Sequence, residues 1–330
     1  MSSTTWLTIT TRTEREYRMP LRAFLAALVL GVFASQARAT DVVGYGEAYN
    51  ALYSVDLTAR TAVLIGGSGL INGQQTPSNI TGLTFNPAGI LYAVWDAGQV
   101  KILVTVNKGT GIVTPVGTFN FNGNTQFDLA LAFTSDGSLW MSSSNGQLWQ
   151  VDPATATATP VANLGIKITG LTAKGMALYG TGGLGNNNFY SIDAANGTAT
   201  LIGSYGSTAN PISFVSPAFD SSGELWGILD YIPPLSTTYL QWSDLAQISL
   251  STGALTDLGS ITPPSSYSVN SPTFQNLSYV GIRGLAIAPN AFAGQNIVST
   301  PALSWRAIAA LIVLTLLLGG TWLRRRRPSC

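Results

Sequence analysis

The chain has 330 residues, only 9% of them charged, a net charge of +1, no histidine and a single cysteine, Cys330. Without imidazole there is no Ser-His-acid relay, no His-ligated metal and no His general base. One cysteine excludes an internal disulfide and a Cys-type metal site, so no cofactor or metal is implied.

The N-terminal 39 residues read as a targeting signal. Arg18 and Arg22 precede the apolar run Phe24–Ala34, and Ala37-Arg38-Ala39 supplies a small-x-small cleavage site before Thr40. Signal peptidase and the translocon are the implied partners. The apolar run is too short to span a bilayer comfortably, which disfavours an uncleaved anchor. Met19 is an alternative start, because the segment from Met19 to Ala39 is a complete signal without the residues before it.

From residue 40 to 290 two phrases interleave. One recurs as LYSVD (Leu52 to Asp56), ILVTVN (Ile102 to Asn107), LWQVD (Leu148 to Asp152), FYSID (Phe189 to Asp193) and LAQIS (Leu245 to Ser249). After each, a small polar turn leads into a strand ending near Gly, as in GTATLIG. The other phrase is an apolar strand, a turn, and a strand opening with Leu-Tyr or Leu-Trp: ITGLTFNPAGILYAV, LALAFTSDGSLWMSS, ITGLTAKGMALYGTG and VSPAFDSSGELWGIL. The NPAG, TSDG and DSSG turns place Asn, Asp, Ser and Gly where a tight reversal needs them. Period-2 alternation supports strands throughout, and no sustained helical period appears.

Joined, the phrases predict four-stranded units over Ile80–Phe119, Leu129–Leu164, Ile168–Ser204 and Val215–Ser260. The remainder is split between the ends: IRGLAIAP (Ile282–Pro289) matches an inner strand, and Val42–Gly66 supplies the other three. The expected fold is all-β, a β-propeller of five four-stranded blades whose closing blade is shared by both termini. Six or seven blades would need strands hidden in irregular stretches.

The body carries six Lys or Arg against thirteen Asp or Glu between Thr40 and Ser299, a balance of −7 that argues against nucleic acid as a partner. Asp56, Asp152 and Asp193 recur at one position, with Asn107 and Ser249 as variants. They are read as caps of the following turn, since equivalent positions in different blades are too far apart to share a cation. Asp136 and Asp220 receive the same reading. Tyr92, Trp140, Tyr179 and Trp226 recur in register, which points to packing between blades rather than a stacking platform for sugars. GGLGNN (Gly182–Asn187) reads as a hairpin, with no helix after it to make a nucleotide loop. Tyr231, Tyr239, Trp242, Tyr267 and Tyr279 fall in stretches that break the repeat and are the candidate ligand-contacting residues.

The C-terminal end is a linker (residues 291–306), an uncharged run Ala307–Leu323 and a basic tail (324–330). As a helix the run is about 26 Å long, at the lower limit for crossing a membrane. Arg324, Arg325, Arg326 and Arg327 resist translocation, which leaves the propeller outside. Just before the run lie Thr300, Pro301, Ala302, Leu303, Ser304 and Trp305.

This three-part tail resembles the C-terminal sorting signals recognised by exosortase-type transpeptidases of Gram-negative bacteria. It is nearest the Ile-Pro-Thr-Leu class and related to the Pro-Glu-Pro class. Pro301, Leu303, Ser304 and Trp305 occupy matching places; Thr300 and Ala302 depart from the pattern, and Trp305 follows Ser304 without a spacer. The resemblance implies cleavage near Pro301, loss of the helix and tail, and transfer to a surface carrier. A stop-transfer anchor is the plainer alternative. The repeated body resembles secreted propellers of uncharacterised bacterial surface proteins, which implies a five- to seven-bladed ring and no established activity. The expectation is an exported, cell-surface or matrix-associated, non-catalytic propeller that binds a protein or glycan. It would be anchored in the inner membrane before processing. The alternative is a secreted Asp/Glu hydrolase or lyase, with or without Ca2+.

Overall fold

A computed structural model of the chain describes residues 42–48, 51–67, 79–96, 100–121, 128–208, 211–231, 243–261 and 282–289. The expected signal peptide, linker, sorting motif, membrane helix and basic tail lie outside the described residues. Twenty strands and no helix occur among those described.

The strands form five four-stranded antiparallel sheets. The first blade is β4 (Asn79–Phe85), β5 (Leu91–Asp96), β6 (Lys101–Val106) and β7 (Val113–Thr118); the second is β8 (Leu129–Phe133), β9 (Leu139–Ser143), β10 (Gln147–Val151) and β11 (Ala158–Asn163). The third comprises β12 (Gly170–Lys174), β13 (Ala177–Thr181), β14 (Asn188–Asp193) and β15 (Thr198–Ser204). The fourth comprises β16 (Ile212–Phe219), β17 (Leu225–Tyr231), β18 (Asp244–Ile248) and β19 (Leu255–Ser260). In the closing blade the order is β20 (Arg283–Ile287), β1 (Val43–Ala48), β2 (Ala51–Asp56), β3 (Thr61–Gly67). Its register pairs Gly46 with Leu285 and Tyr45 with Ala286, so the two ends of the body complete one sheet. The inner strands β20, β4, β8, β12 and β16 contact one another in that cyclic order.

Five buried clusters hold the ring together, and each lies at a seam between neighbouring blades. The cluster around Leu83, Leu91 and Val104, for example, includes Leu52 and Ala286 of the closing blade. Both faces of inner, second and third strands are thereby covered, which explains why phrases such as LWMSS are mostly apolar rather than alternating. Recurrent rings seal three seams: Tyr45 against Phe85 at 5.5 Å, Tyr92 against Phe133 at 5.2 Å and Tyr179 against Phe219 at 5.6 Å. The packing role expected for Tyr92 and Tyr179 is therefore what the structure shows. Trp226 and Ile287 pack on one shared cluster at a fourth seam, and Trp140 and Ala173 on another at the fifth.

The perimeter explains the recurring Gly of the outer strands. A Cβ on Gly66, Gly117 or Gly203 would collide with the carbonyl oxygen of Thr110, Thr155 or Thr252, each in the third-to-outer turn of the next blade. At the second-to-third seam the roles are exchanged, with Ala162 on the outer strand meeting Gly197 in the turn. Gly259 instead faces Arg60, whose guanidinium donates to the Leu258 carbonyl. The exposed outer edge is also protected against pairing with other chains. Every outer strand shifts register by a bulge against its neighbour, and β7 and β11 carry Pro115 and Pro160.

The ring has two unlike faces. One, the turn face, carries the inner-to-second and third-to-outer reversals, such as residues 86–90 and 152–157, and both described chain ends, Val42 and Pro289. At the other, the connector face, open the strand ends that flank residues 68–78, 122–127, 232–242 and 262–281.

Candidate functional site

The acids of the repeat do what the spacing predicts. Asp56 Oδ1 accepts the Thr58 and Ala59 N–H groups, Asp152 Oδ1 that of Ala154, and Asp193 Oδ1 those of Ala195 and Asn196. Asn107 and Ser249 cap in the same way, accepting from Gly109 and Thr252. Asp136 accepts from Ser138, and Asp220 from Ser222 and Glu224. The Thr134 hydroxyl, the Ala154 N–H and the Asn196 side chain are the leading causes that hold Asp136, Asp152 and Asp193 below the usual carboxylate range. No three carboxylates among the described residues are grouped to hold a metal ion.

A different set of charges gathers at the connector-face mouth of the central channel. The inner strands begin there, and Thr81, Asp128, Thr169, Phe214 and Arg283 line a void of about 30 Å3. Arg283 replaces the Thr of ITGLTF, so the inner strand that closes the ring brings a cation to this mouth. Its Nε donates to Asp230 Oδ2 at 2.8 Å and its guanidinium lies 4.6 Å from the Phe214 ring centre. That geometry combines a charge-assisted hydrogen bond with a cation–π contact. Lys101, 4% exposed, donates to Asp96 at 2.5 Å. Asp128 lies within electrostatic reach of both cations. Burial pushes its carboxyl up, and Arg283 and Lys101 oppose that rise. Its main chain is fixed by the Ser144 hydroxyl, which accepts the Asp128 N–H.

Behind the mouth lies Glu47, fully buried and opposite Arg283 in the β1–β20 register. Neither carboxylate oxygen has a hydrogen-bond partner among the described residues. Burial raises its pKa well above the ordinary value, and Arg283 counters this only in part. The corresponding positions, two residues after each recurring aromatic, hold Val94, Ser142, Thr181 and Ile228.

Of the five aromatic candidates that break the repeat, Tyr231 is described, and it closes β17 as a buried residue. Its hydroxyl donates to Asp244 Oδ2 at 2.8 Å, and Ser260 donates to Oδ1 at 2.7 Å. Burial, then Asp244, raises the phenol pKa. Tyr231 thus has a scaffold role that the Tyr-Ile-Pro-Pro sequence concealed. Tyr231→Phe should cost about 1 kcal/mol in urea unfolding, because Asp244 keeps one donor; no change would remove the bond's importance. Tyr239, Trp242, Tyr267 and Tyr279 lie outside the described residues, as do Ala37, Ala39, Pro301, Leu303, Ser304, Trp305 and Arg324 to Arg327.

The mouth cluster was not foreseen. Arg283 and Glu47 were visible only as departures from a repeated phrase, and Asp230 and Arg283 meet only because the ring closes.

No protein-family profile matches this chain, and no curated protein matches it. Among solved structures it is similar to TolB from Acinetobacter baumannii, with 16% identity, 80% of this chain and 70% of that chain covered, and a TM-score of 0.44. It is also similar to a protein of unknown function from Bacteroides thetaiotaomicron, at 15% identity and a TM-score of 0.42, over 56% of this chain and 52% of that one. The chain thus spans about half of that relative's length. A third likeness is to the major Malassezia sympodialis allergen Mala s 1, with 12% identity, 74% and 87% coverage and a TM-score of 0.43. At such scores these likenesses carry no functional information.

Proposed function

We propose that the chain is an exported, non-catalytic propeller that presents a binding surface to a protein or glycan outside the cell. Its C-terminal segment anchors it to the inner membrane until an exosortase-type enzyme processes it. The observation that supports a non-catalytic frame is the state of its charges. At the channel mouth each cation is matched to an acid, Arg283 to Asp230 and Lys101 to Asp96. The void beside them has room for water rather than for an organic substrate. The recurring acids Asp56, Asp136, Asp152, Asp193 and Asp220 cap turns.

Intact-mass analysis of the protein from its native host tests the processing. The expected mass corresponds to a species beginning at Thr40 and ending near Pro301, with any attached carrier added. A full-length mass would refute both cuts.

One observation favours the second reading, a secreted Asp/Glu hydrolase or lyase: Asp128, with its raised pKa, faces the channel. Such an enzyme with a Ca2+ requirement would bind the ion tightly enough to stabilise the fold. The melting temperature is expected to stay unchanged at millimolar Ca2+. A rise of several degrees would reverse the order of the two readings.

A further inference from the structure

One of the five seams is built differently from the rest. Tyr45, Tyr92 and Tyr179 each meet a Phe of the next blade. Trp226 donates its indole N–H to Asp220 Oδ2 at 2.9 Å. Trp140 does neither. The inner-strand residue that should cover it is Ala173, and the place of Asp220 is taken by Thr134, whose hydroxyl donates to Asp136 at 2.6 Å. Among the described residues Trp140 therefore stacks on no ring, and its N–H has no acceptor.

A groove of about 550 Å3 opens along this seam on the turn face. Trp140, Leu178, Ile192 and Met176, the last 62% exposed, give it an apolar lining, and Asp136 and Asp193 add carboxylates. Those carboxylates are only partly occupied. Asp136 Oδ1 accepts from Thr134 and Ser138 and its Oδ2 from the Ser138 hydroxyl; Asp193 Oδ2 accepts from Asn196 alone. A lone pair on each Oδ2 remains for a donor. A second groove of about 510 Å3 shares Asp136 and continues across the second blade, so the surface is long enough for several linked units. The seam lies across the ring from the closing blade, away from the chain ends at Val42 and Pro289.

An aromatic plane with an undonated N–H, apolar neighbours and ionised acceptors matches the two sides of a sugar ring. The C–H face of a pyranose stacks on the indole, and its hydroxyls donate to the carboxylates. Two fixed negative charges disfavour uronic acids and sulfated sugars. We propose that this groove is a subsite for an uncharged oligosaccharide, with Trp140 as the stacking platform and Asp136 and Asp193 as hydroxyl acceptors. The proposal rests on the binding reading above and narrows it to a glycan.

The test is calorimetric titration of the full chain with cellohexaose, maltohexaose and laminarihexaose, and with hexagalacturonate as the charged comparison. At least one uncharged hexasaccharide is expected to bind, with hexagalacturonate weaker by about tenfold or more. Trp140→Ala should weaken binding by about tenfold. Thr200→Trp fills the groove from an exposed wall position, and it should do the same with an unchanged melting temperature. Equal binding by wild type and Thr200→Trp would overturn this placement while leaving a glycan-binding propeller intact. Failure of every uncharged hexasaccharide to bind at millimolar concentration would overturn the glycan assignment, leaving a protein ligand for the broader reading.

Discussion

Gly203→Ala is expected to lower unfolding free energy by about 3 kcal/mol, measured by urea denaturation. The added methyl would enter the space of the Thr252 carbonyl oxygen, a backbone atom fixed by the turn that Ser249 caps. No rotamer change relieves such a clash, so the two blades must separate. Inserting a methylene-sized group into close packing costs about 1–3 kcal/mol, and a backbone collision belongs at the upper end. Gly109→Ala is the comparison, because its Cβ would approach only the Asn107 side chain, at 3.4 Å. It should change stability by less than about 0.5 kcal/mol. Equal effects at the two sites would show that outer-strand glycine serves chain flexibility rather than the approach of blades.

Glu47→Val should raise stability at pH 7 by about 2 kcal/mol. The carboxyl is enclosed without a hydrogen-bond partner, a state that costs about 1–3 kcal/mol, and valine already serves at the matching Val94 position. The pH dependence follows from the same burial. The folded pKa lies above the ordinary 4.5, so between those two values the folded state binds more protons than the unfolded chain. The Glu47 contribution is thus most favourable below about pH 4.5 and declines as pH rises toward the folded pKa, at about 1.4 kcal/mol per unit. Glu47→Gln should remove this decline while keeping the side-chain volume. Urea melts from pH 4 to pH 8 would decide the matter: a valine variant less stable than wild type at pH 7 contradicts the account.

The blades were legible because a repeat writes the same solution several times. Leu-Tyr/Trp and Tyr/Trp-x-Val-Asp mark second and third strands, and the Ile282–Pro289 phrase identified the inner strand that pairs with β1. Turn caps were legible because Asp152 and its equivalents bond to residues two or three positions away. Interactions between blades were not legible. Leu-Ile-Gly is plain in the sequence, but the reason for its glycine lies in a turn some fifty residues later, at Thr252. Tyr231 was misplaced for a related reason: prolines after it suggested a loop, whereas its partner Asp244 lies across the sheet. The Arg283–Asp230 pair joins residues of two blades and has no local signature.

The pairing of β20 with β1 also has a temporal meaning. During synthesis the first strand is made early and its inner neighbour last, so the closing sheet waits for almost the whole body. Contacts between residues so distant in sequence carry a large loop-closure entropy and make assembly slow. Until Leu285 arrives opposite Gly46, the apolar surfaces of Tyr53 and Val55 lack their cover, and the nascent ring stays open. For the export proposed above, such delay would suit passage through a translocon before the ring closes.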